Sequence, residues 1–364
     1  MAAARVIVVS TSYPRHDGDP SGHFVRSHAR LLARKGASVH VLAPFGSASD
    51  PVISRDSIHV HPAGGSTLFG FPGAASRFAE NPLRIAGAAA FAEGVRRRMR
   101  ELAPFDRVVA HWMVPGAWPF CAGVTAPIDV VSHGADVRLL VRLPAPLRCA
   151  IVRSLLDRGA RIQFVAAHLR SALVEALPSD LAARVTDASF VEPAPLDLPD
   201  VGRAAAELRA SLAMDAGEPL AVCVGRLVRE KRYNLALAAV AGVEPRVRLA
   251  LIGDGPERPR LEALAAKSGV LTVSTGAVSR HEALAWIAAA DVLVHPSAHE
   301  GAPTVVREAR ALGTSVVACA AGDLERWAQS DAGIAIVPPD PRAIGAAVLR
   351  ATASRSVRSA PSIC

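Results

Sequence analysis

Short apolar runs alternate with segments whose apolar residues recur at helical spacing, and this alternation organises most of the chain. Arg5-Val-Ile-Val-Val-Ser10 predicts a strand, and a turn-rich stretch follows it through residues 11–22. Residues 24–35 then carry a helical pattern that stops at Gly36, a common helix terminator. Strands are predicted at 38–43, 107–110, 127–132 and 161–165, with helical segments between them. The pattern lapses between residues 185 and 201, where Val191-Glu-Pro-Ala-Pro-Leu-Asp-Leu-Pro-Asp200 holds three prolines. It resumes with strands at 220–224, 248–252, 271–274, 292–295 and 315–318. Strands alternating with helices predict an α/β fold of two doubly wound, parallel-sheet domains in series. The expected boundaries are a first domain at 1–190, a linker at 191–218, a second domain at 219–350 and a small polar tail at 351–364.

Length agrees, since 364 residues suit two domains at roughly 150 residues each. A hydrophobic fraction of 51% excludes a disordered chain. Aromatic residues, at 4%, are too few for reading single strands by base stacking. The net charge of +8 is spread over 22 basic and 17 acidic residues before position 201, and 19 and 16 after it. Neither half is a polycation, which argues against nucleic acid as a partner. The basic excess is local: residues 138–170 hold seven arginines against one acid, Asp157. Only three basic residues are lysines, Lys35, Lys231 and Lys267. The five cysteines are odd in number, scattered and free of any Cys-x-x-Cys pattern, which points to a reducing compartment. The apolar run at 6–9 is too short for a signal peptide, and residues 108–131 are interrupted by His111, Pro115, Pro119, Pro127 and Asp129. The expectation is a cytoplasmic protein without a membrane span.

Doubly wound sheets bind ligands beyond the carboxyl ends of their strands. Two facing domains are therefore expected to share a cleft, with chemistry-bearing residues just after strands. The most specific signal runs from Ala290 to Gly313, where a strand leads into Glu300-Gly301 and a helix is expected to begin at Pro303. Glu308 lies five residues beyond, roughly 7.5 Å along that helix. Carboxylates accept hydrogen bonds from hydroxyls, and a helix N-terminus favours an anion. Together they suit a sugar nucleotide; the bland alternative is two surface glutamates. Arg226 and Lys231, five apart after a strand, can place two cations on a departing diphosphate. His133 follows a strand and precedes Gly134, at the top of the first sheet.

Pro296-Ser-Ala-His-Glu300-Gly-Ala-Pro303, with Glu308 behind it, resembles the signature of glycosyltransferase family 4. The resemblance implies the GT-B fold, two facing Rossmann-like domains, with the nucleotide-sugar donor in the second domain and the acceptor side in the first. Gly225-Arg-Leu-Val-Arg-Glu-Lys231 is similar to the family segment whose Arg and Lys neutralise the donor diphosphate. Ile252-Gly-Asp-Gly-Pro-Glu-Arg258 matches another family segment, and Gly276 lies where the family has its base-binding loop. Ser132-His-Gly-Ala-Asp136 resembles an element facing the donor sugar. By the same resemblance Glu300, beside Gly301, holds sugar hydroxyls and Glu308 the ribose hydroxyls. Ser21-Gly22 stands where many members have Gly-Gly for phosphate approach. The chain departs from the family at Ala194-Pro-Leu-Asp197, where Asn-Gly-Val-Asp is common, and matches Gly-Gly-x-x-Glu only in part at Gly322 and Glu325.

The implied function is a retaining glycosyltransferase that moves a hexose from a UDP- or GDP-linked sugar to a glycan, lipid-linked or small-molecule acceptor. Two other readings stay open: a sugar-nucleotide epimerase on the same fold and a catalytically silent binding module. No cofactor or metal is expected. Asp17-Gly-Asp19 reads as a turn, Arg258 replaces the third glycine of a dinucleotide fingerprint, and the His-Glu pairs at 281–282 and 299–300 lack a second His. Arginines at 96–100 and 138–170, with Phe69-Gly-Phe71, suggest an anionic membrane surface as a partner, at the inner face of the cell membrane. A solvated arginine face is the competing reading.

Overall fold

The computed structural model describes residues 3–16, 19, 21–46, 50–55, 57–69, 73–215 and 217–355. The chain divides into two compact units, Met1–Asp197 and Leu198–Cys364. Each is an α/β unit built on one sheet, as expected of a GT-B protein.

The first sheet contains β1 (Arg5–Val9), β2 (Ser38–Ala43), β3 (Ile53–Arg55), β4 (Ile58–Pro62), β5 (Arg107–His111), β6 (Ile128–Ser132), β7 (Arg161–Phe164) and β8 (Ser189–Val191). Their order is β3-β4-β2-β1-β5-β6-β7-β8, parallel except for β3, which runs antiparallel to β4. In the centre Val8 pairs with Val41 on one side and Val109 on the other. These strands are buried on both faces, which is why they read as continuous apolar runs. The order reverses between β1 and β5, so the loops after these strands flank the crevice where such sheets take ligands.

The second sheet is wholly parallel: β9 (Leu220–Val224), β10 (Arg248–Ile252), β11 (Thr272–Gly276), β12 (Val292–His295), β13 (Ser315–Cys319) and β14 (Ile334–Val337), in the order β11-β10-β9-β12-β13-β14. Here the reversal lies between β9 and β12. Those strands lead into the Arg226–Lys231 segment and the Glu300 loop.

Several expectations change. Strands β3, β4 and β8 carry too few apolar residues in a row to stand out in the sequence, whereas β14, Ile334-Ala-Ile-Val337, is a continuous apolar run that the sequence reading passed over. Residues 191–218 are not all linker: Gly202–Ser211 is a helix, and Val201 and Ala205 are buried with Leu284, Ile287 and Leu293 in the core of the second unit. The Pro341–Arg355 helix extends into the expected tail, with Ile344, Ala347 and Val348 buried; residues 356–364 lie outside the described residues. Phe69 is not a surface anchor. It is 3% exposed and meets Phe91 and Phe120 edge to face, while Phe71 lies outside the described residues. The arginines near the end of the Ala86–Leu102 helix are ion-paired, Arg96 and Arg100 with Glu93, and Arg97 and Arg98 with Glu101. No described helix is long and apolar enough to cross a membrane.

Candidate active site

In the second unit the carboxyl ends of three strands are stitched by main-chain bonds. Gly225 N donates to Ile252 O (2.9 Å), Gly253 N to Gly276 O (3.0 Å) and Leu227 N to Asp254 O (2.9 Å). The loops approach so closely that a Cβ on Gly253, at φ 135°, would lie 2.0 Å from the Gly225 carbonyl oxygen. That contact allows only glycine there. Tyr233 OH donates to Val224 O (2.9 Å) and fixes the start of the Tyr233–Ala241 helix under the same turn. Arg226 and Lys231 are carried on this framework.

Lys231 and Glu300 come together. Lys231 Nζ donates to Glu300 Oε1 at 2.6 Å, and His295 Nε2, at the end of β12, lies 2.7 Å from the same oxygen. Arg232 holds the two segments in register by donating to Pro296 O (2.7 Å) and Ser297 O (2.9 Å), while Ala298 N donates to Glu230 O (2.8 Å). Burial alone would raise the Glu300 carboxyl, but the His295 and Lys231 contacts overcome it and hold it far below the usual carboxylate range. Burial lowers His295, with Glu300 opposing the shift. The pair is therefore a neutral imidazole donating through Nε2–H to an ionised carboxylate, itself countered by an ammonium.

Glu308 forms a second buried ion pair. It lies in the Thr304–Ala311 helix, whose N-cap rather than first residue is Pro303, and is 7% exposed. Arg280 Nη2 donates to Glu308 Oε1 at 2.9 Å. Burial raises the Glu308 carboxyl against the pull of Arg280. Glu308 is thus no surface charge. Gly301 follows Glu300 in the loop before this helix, and Gly276 closes β11 beside Gly253.

In the first unit, His133 follows β6 and is half-buried. Its loop is shaped by Asp136, 1% exposed, which accepts from Gly134 N (2.9 Å) and Met113 N (2.8 Å). His133 Nε2 lies 2.8 Å from Nδ1 of His111, and His111 Nε2 lies 3.3 Å from Nδ1 of His28. Phe24 and Trp112 flank the His133 ring. Gly22 caps the His23–Arg34 helix at φ 61°, where a Cβ would sit 2.2 Å from Ser12 O, so packing alone demands glycine. Asp19 accepts from Arg15 N (3.1 Å) and Ser21 N (2.8 Å), a turn built on its carboxylate; Asp17 lies outside the described residues. Asp197 is tied to this unit by Arg30 (2.6 Å) and Arg34 (3.2 Å).

Sequence reading missed His295, Arg280, Arg232, His111 and His28. His295 ends a strand inside the strongest motif and was open to notice. Arg280 gives no local signal, being 28 residues from its partner.

Residues 205–362 match the family described as Glycosyl transferases group 1. A 2-deoxystreptamine glucosyltransferase of Streptomyces kanamyceticus is 34% identical over 260 residues, 65% of each chain. The chain spans 36 to 65% of the length of the first curated relatives it matches. Among solved structures, sucrose-phosphate synthase from Thermosynechococcus elongatus superposes with a TM-score of 0.72 at 22% identity, covering 97% of this chain and 90% of that one. HepE of Anabaena, in complex with UDP, gives 0.63 at 16% identity, covering 97% and 90%. These likenesses establish the GT-B fold.

Proposed function

We propose that the protein is a retaining glycosyltransferase of the GT-B class, family 4, which transfers a hexose from a UDP- or GDP-linked sugar. The observation that carries this reading is the Lys231–Glu300–His295 group, seated at the strand-order reversal of the sheet that matches the glycosyl transferase family. In it an ionised carboxylate and an ammonium are held half-desolvated beyond the strand ends. Such a pair can open to a ligand that offers both hydroxyls and phosphate.

The roles follow from chemistry. Glu300, next to Gly301, accepts from sugar hydroxyls, and Lys231 with Arg226 meets the diphosphate as it departs. Preorganised cations lower the cost of that leaving charge. Glu308 accepts from the ribose, Gly276 borders the base, and Gly22 and His133 are assigned to phosphate and donor sugar. Reaction needs no metal, because these cations take its place. The acceptor is a glycan, a lipid-linked or a small molecule, and cytoplasmic placement fits a nucleotide-sugar donor.

A membrane-surface partner is supported by one feature of the first unit. The Ala135–Arg142 helix exposes Leu139 and Val141 together with Arg138 and Arg142, and the Ala145–Asp157 helix exposes Leu147, with no acidic side chain from 138 to 148.

The test is release of nucleoside diphosphate from a panel of nucleotide sugars, with and without acceptors, after a thermal-shift screen for the donor. Acceptor-dependent release supports transfer. Conversion of the donor sugar to its epimer with no acceptor would replace it by the epimerase reading.

A further inference from the structure

His28, His111 and His133 form a continuous chain of imidazoles. His111, at the end of β5, is 1% exposed and spends both ring nitrogens on other imidazoles: Nδ1 on His133 Nε2 at 2.8 Å and Nε2 on His28 Nδ1 at 3.3 Å. Its ring lies nearly parallel to that of His133, at 10° and 5.1 Å between centroids. His28 belongs to the His23–Arg34 helix, so the chain joins that helix to the β6 loop through a buried link.

Burial keeps all three rings neutral. It lowers His111 well below the ordinary histidine value, His133 to about 3 and His28 to about 4, where Asp129 opposes and Lys35 assists. A neutral imidazole has one N–H and one lone pair. Each short contact therefore needs a donor on one side and an acceptor on the other. Only two arrangements satisfy both contacts. With every proton on Nε2, His133 donates to His111, His111 donates to His28, and Nδ1 of His133 is left as an acceptor. With every proton on Nδ1, both bonds reverse and Nδ1 of His133 is a donor. Three protons are present in either case.

We infer that His111 is a positioning residue that couples the tautomer of His133 to that of His28, and so sets whether the outer nitrogen of His133 accepts or donates a hydrogen bond. This rests on the reading that His133 meets a donor hydroxyl: the arrangement of the chain decides the direction of that bond. Through His111 the helix carrying His28 is thereby linked to the ring of His133.

The experiment is ¹⁵N NMR of the ring nitrogens in the full chain, ligand-free, with each signal assigned by single His→Gln changes. The expected result is one shared tautomer for the three histidines. His111→Phe, which keeps a ring but breaks both bonds, and His28→Gln are expected to shift the tautomer balance of His133. Should His111→Phe fail to fold, half-buried His28→Gln carries the same test. Different tautomers among the three in the unaltered protein, or a His133 signal unchanged in the folded variants, overturns the coupling. Turnover adds a second readout: His111→Phe should lower kcat/KM about tenfold, the size of one lost hydrogen bond. Failure of the underlying reading looks different. His133→Ala with undiminished donor affinity removes His133 from the donor site but leaves the ligand-free NMR result standing.

Discussion

Lys231 Nζ and Glu300 Oε1 lie 2.6 Å apart, with side chains only 20% and 11% exposed. Two residues expected to meet different parts of a ligand therefore meet each other first. The pair keeps a cation and an anion in place without leaving either charge buried alone, which would be costly. A bound diphosphate and a sugar hydroxyl can take over its two halves.

Lys231→Ala is accordingly expected to cost stability as well as affinity. Removing one partner of a buried pair typically costs ~3 kcal/mol. Adding Glu300→Gln should return part of that loss, since it removes the orphaned charge. Urea unfolding of both singles and the double would show it, and strictly additive losses would argue against the pairing. Calorimetry should also show nucleoside diphosphate binding at least ~tenfold weaker in Lys231→Ala, about 1.4 kcal/mol.

The same pair makes stability depend on acid. Glu300 is depressed below its unfolded value, so its contribution is fully present above about pH 4.3 and is lost as pH falls toward the folded value. The stability gap between the unaltered protein and Glu300→Gln should be level from pH 8 to about 5 and narrow below about 4.5. Denaturation midpoints along that series would reveal it; a gap independent of pH would mean Glu300 is not held ionised.

Glu308 has the opposite tendency, since burial raises it and Arg280 opposes the rise. Arg280→Met should lift it further, so that the carboxyl protonates at higher pH. If Glu308 accepts from ribose hydroxyls, donor affinity in Arg280→Met should fall as pH drops from 8 to 5, more steeply than in the unaltered protein. Parallel affinity profiles in the two proteins would dissociate Glu308 from the donor.

Legibility followed local signal strength. The buried central strands were plain because burial on both faces writes an uninterrupted apolar run, and β2, β9, β10 and β12 begin and end where the sequence placed them. Glu300 and Lys231 were visible because each follows such a strand. Their pairing was not, because it joins residues 69 apart in sequence. The Gly202–Ser211 helix was hidden by prolines upstream and by an apolar face of small alanines. Phe69 misled because an aromatic beside glycine in a predicted loop carries no mark of which side it faces; its neighbours Phe91 and Phe120 are contributed from elsewhere in the chain.

Asp19 bears on metal dependence. Its carboxylate already accepts two main-chain N–H groups of its own loop. Asp17-Gly-Asp19 is therefore not expected to act as a metal-binding pair, and turnover should persist in EDTA. Complete loss of activity, restored by manganese or magnesium, would return these aspartates to the site and remove the metal-free role given to Arg226 and Lys231.

The last prediction concerns the exposed elbow of the first unit. Leu139 is 45% exposed, Val141 37% and Leu147 43%, all within nine residues and bracketed by Arg138 and Arg148. Arg148 is committed to the fold, donating to Val141 O and Leu143 O, which leaves Arg138 and Arg142 as the outward charges of the run. Apolar side chains inserted at an interface add to arginine attraction of about 1 kcal/mol each near an anionic surface. Two arginines and three aliphatic side chains give weak, reversible attachment that salt should reduce. The protein is expected to sediment with anionic vesicles at low salt, less at high salt, and little with neutral ones. Leu139→Glu with Leu147→Glu should abolish sedimentation while leaving donor affinity unchanged. If the unaltered protein stays in the supernatant with anionic vesicles even at low salt, the elbow is a solvated face and the acceptor is best sought among soluble molecules.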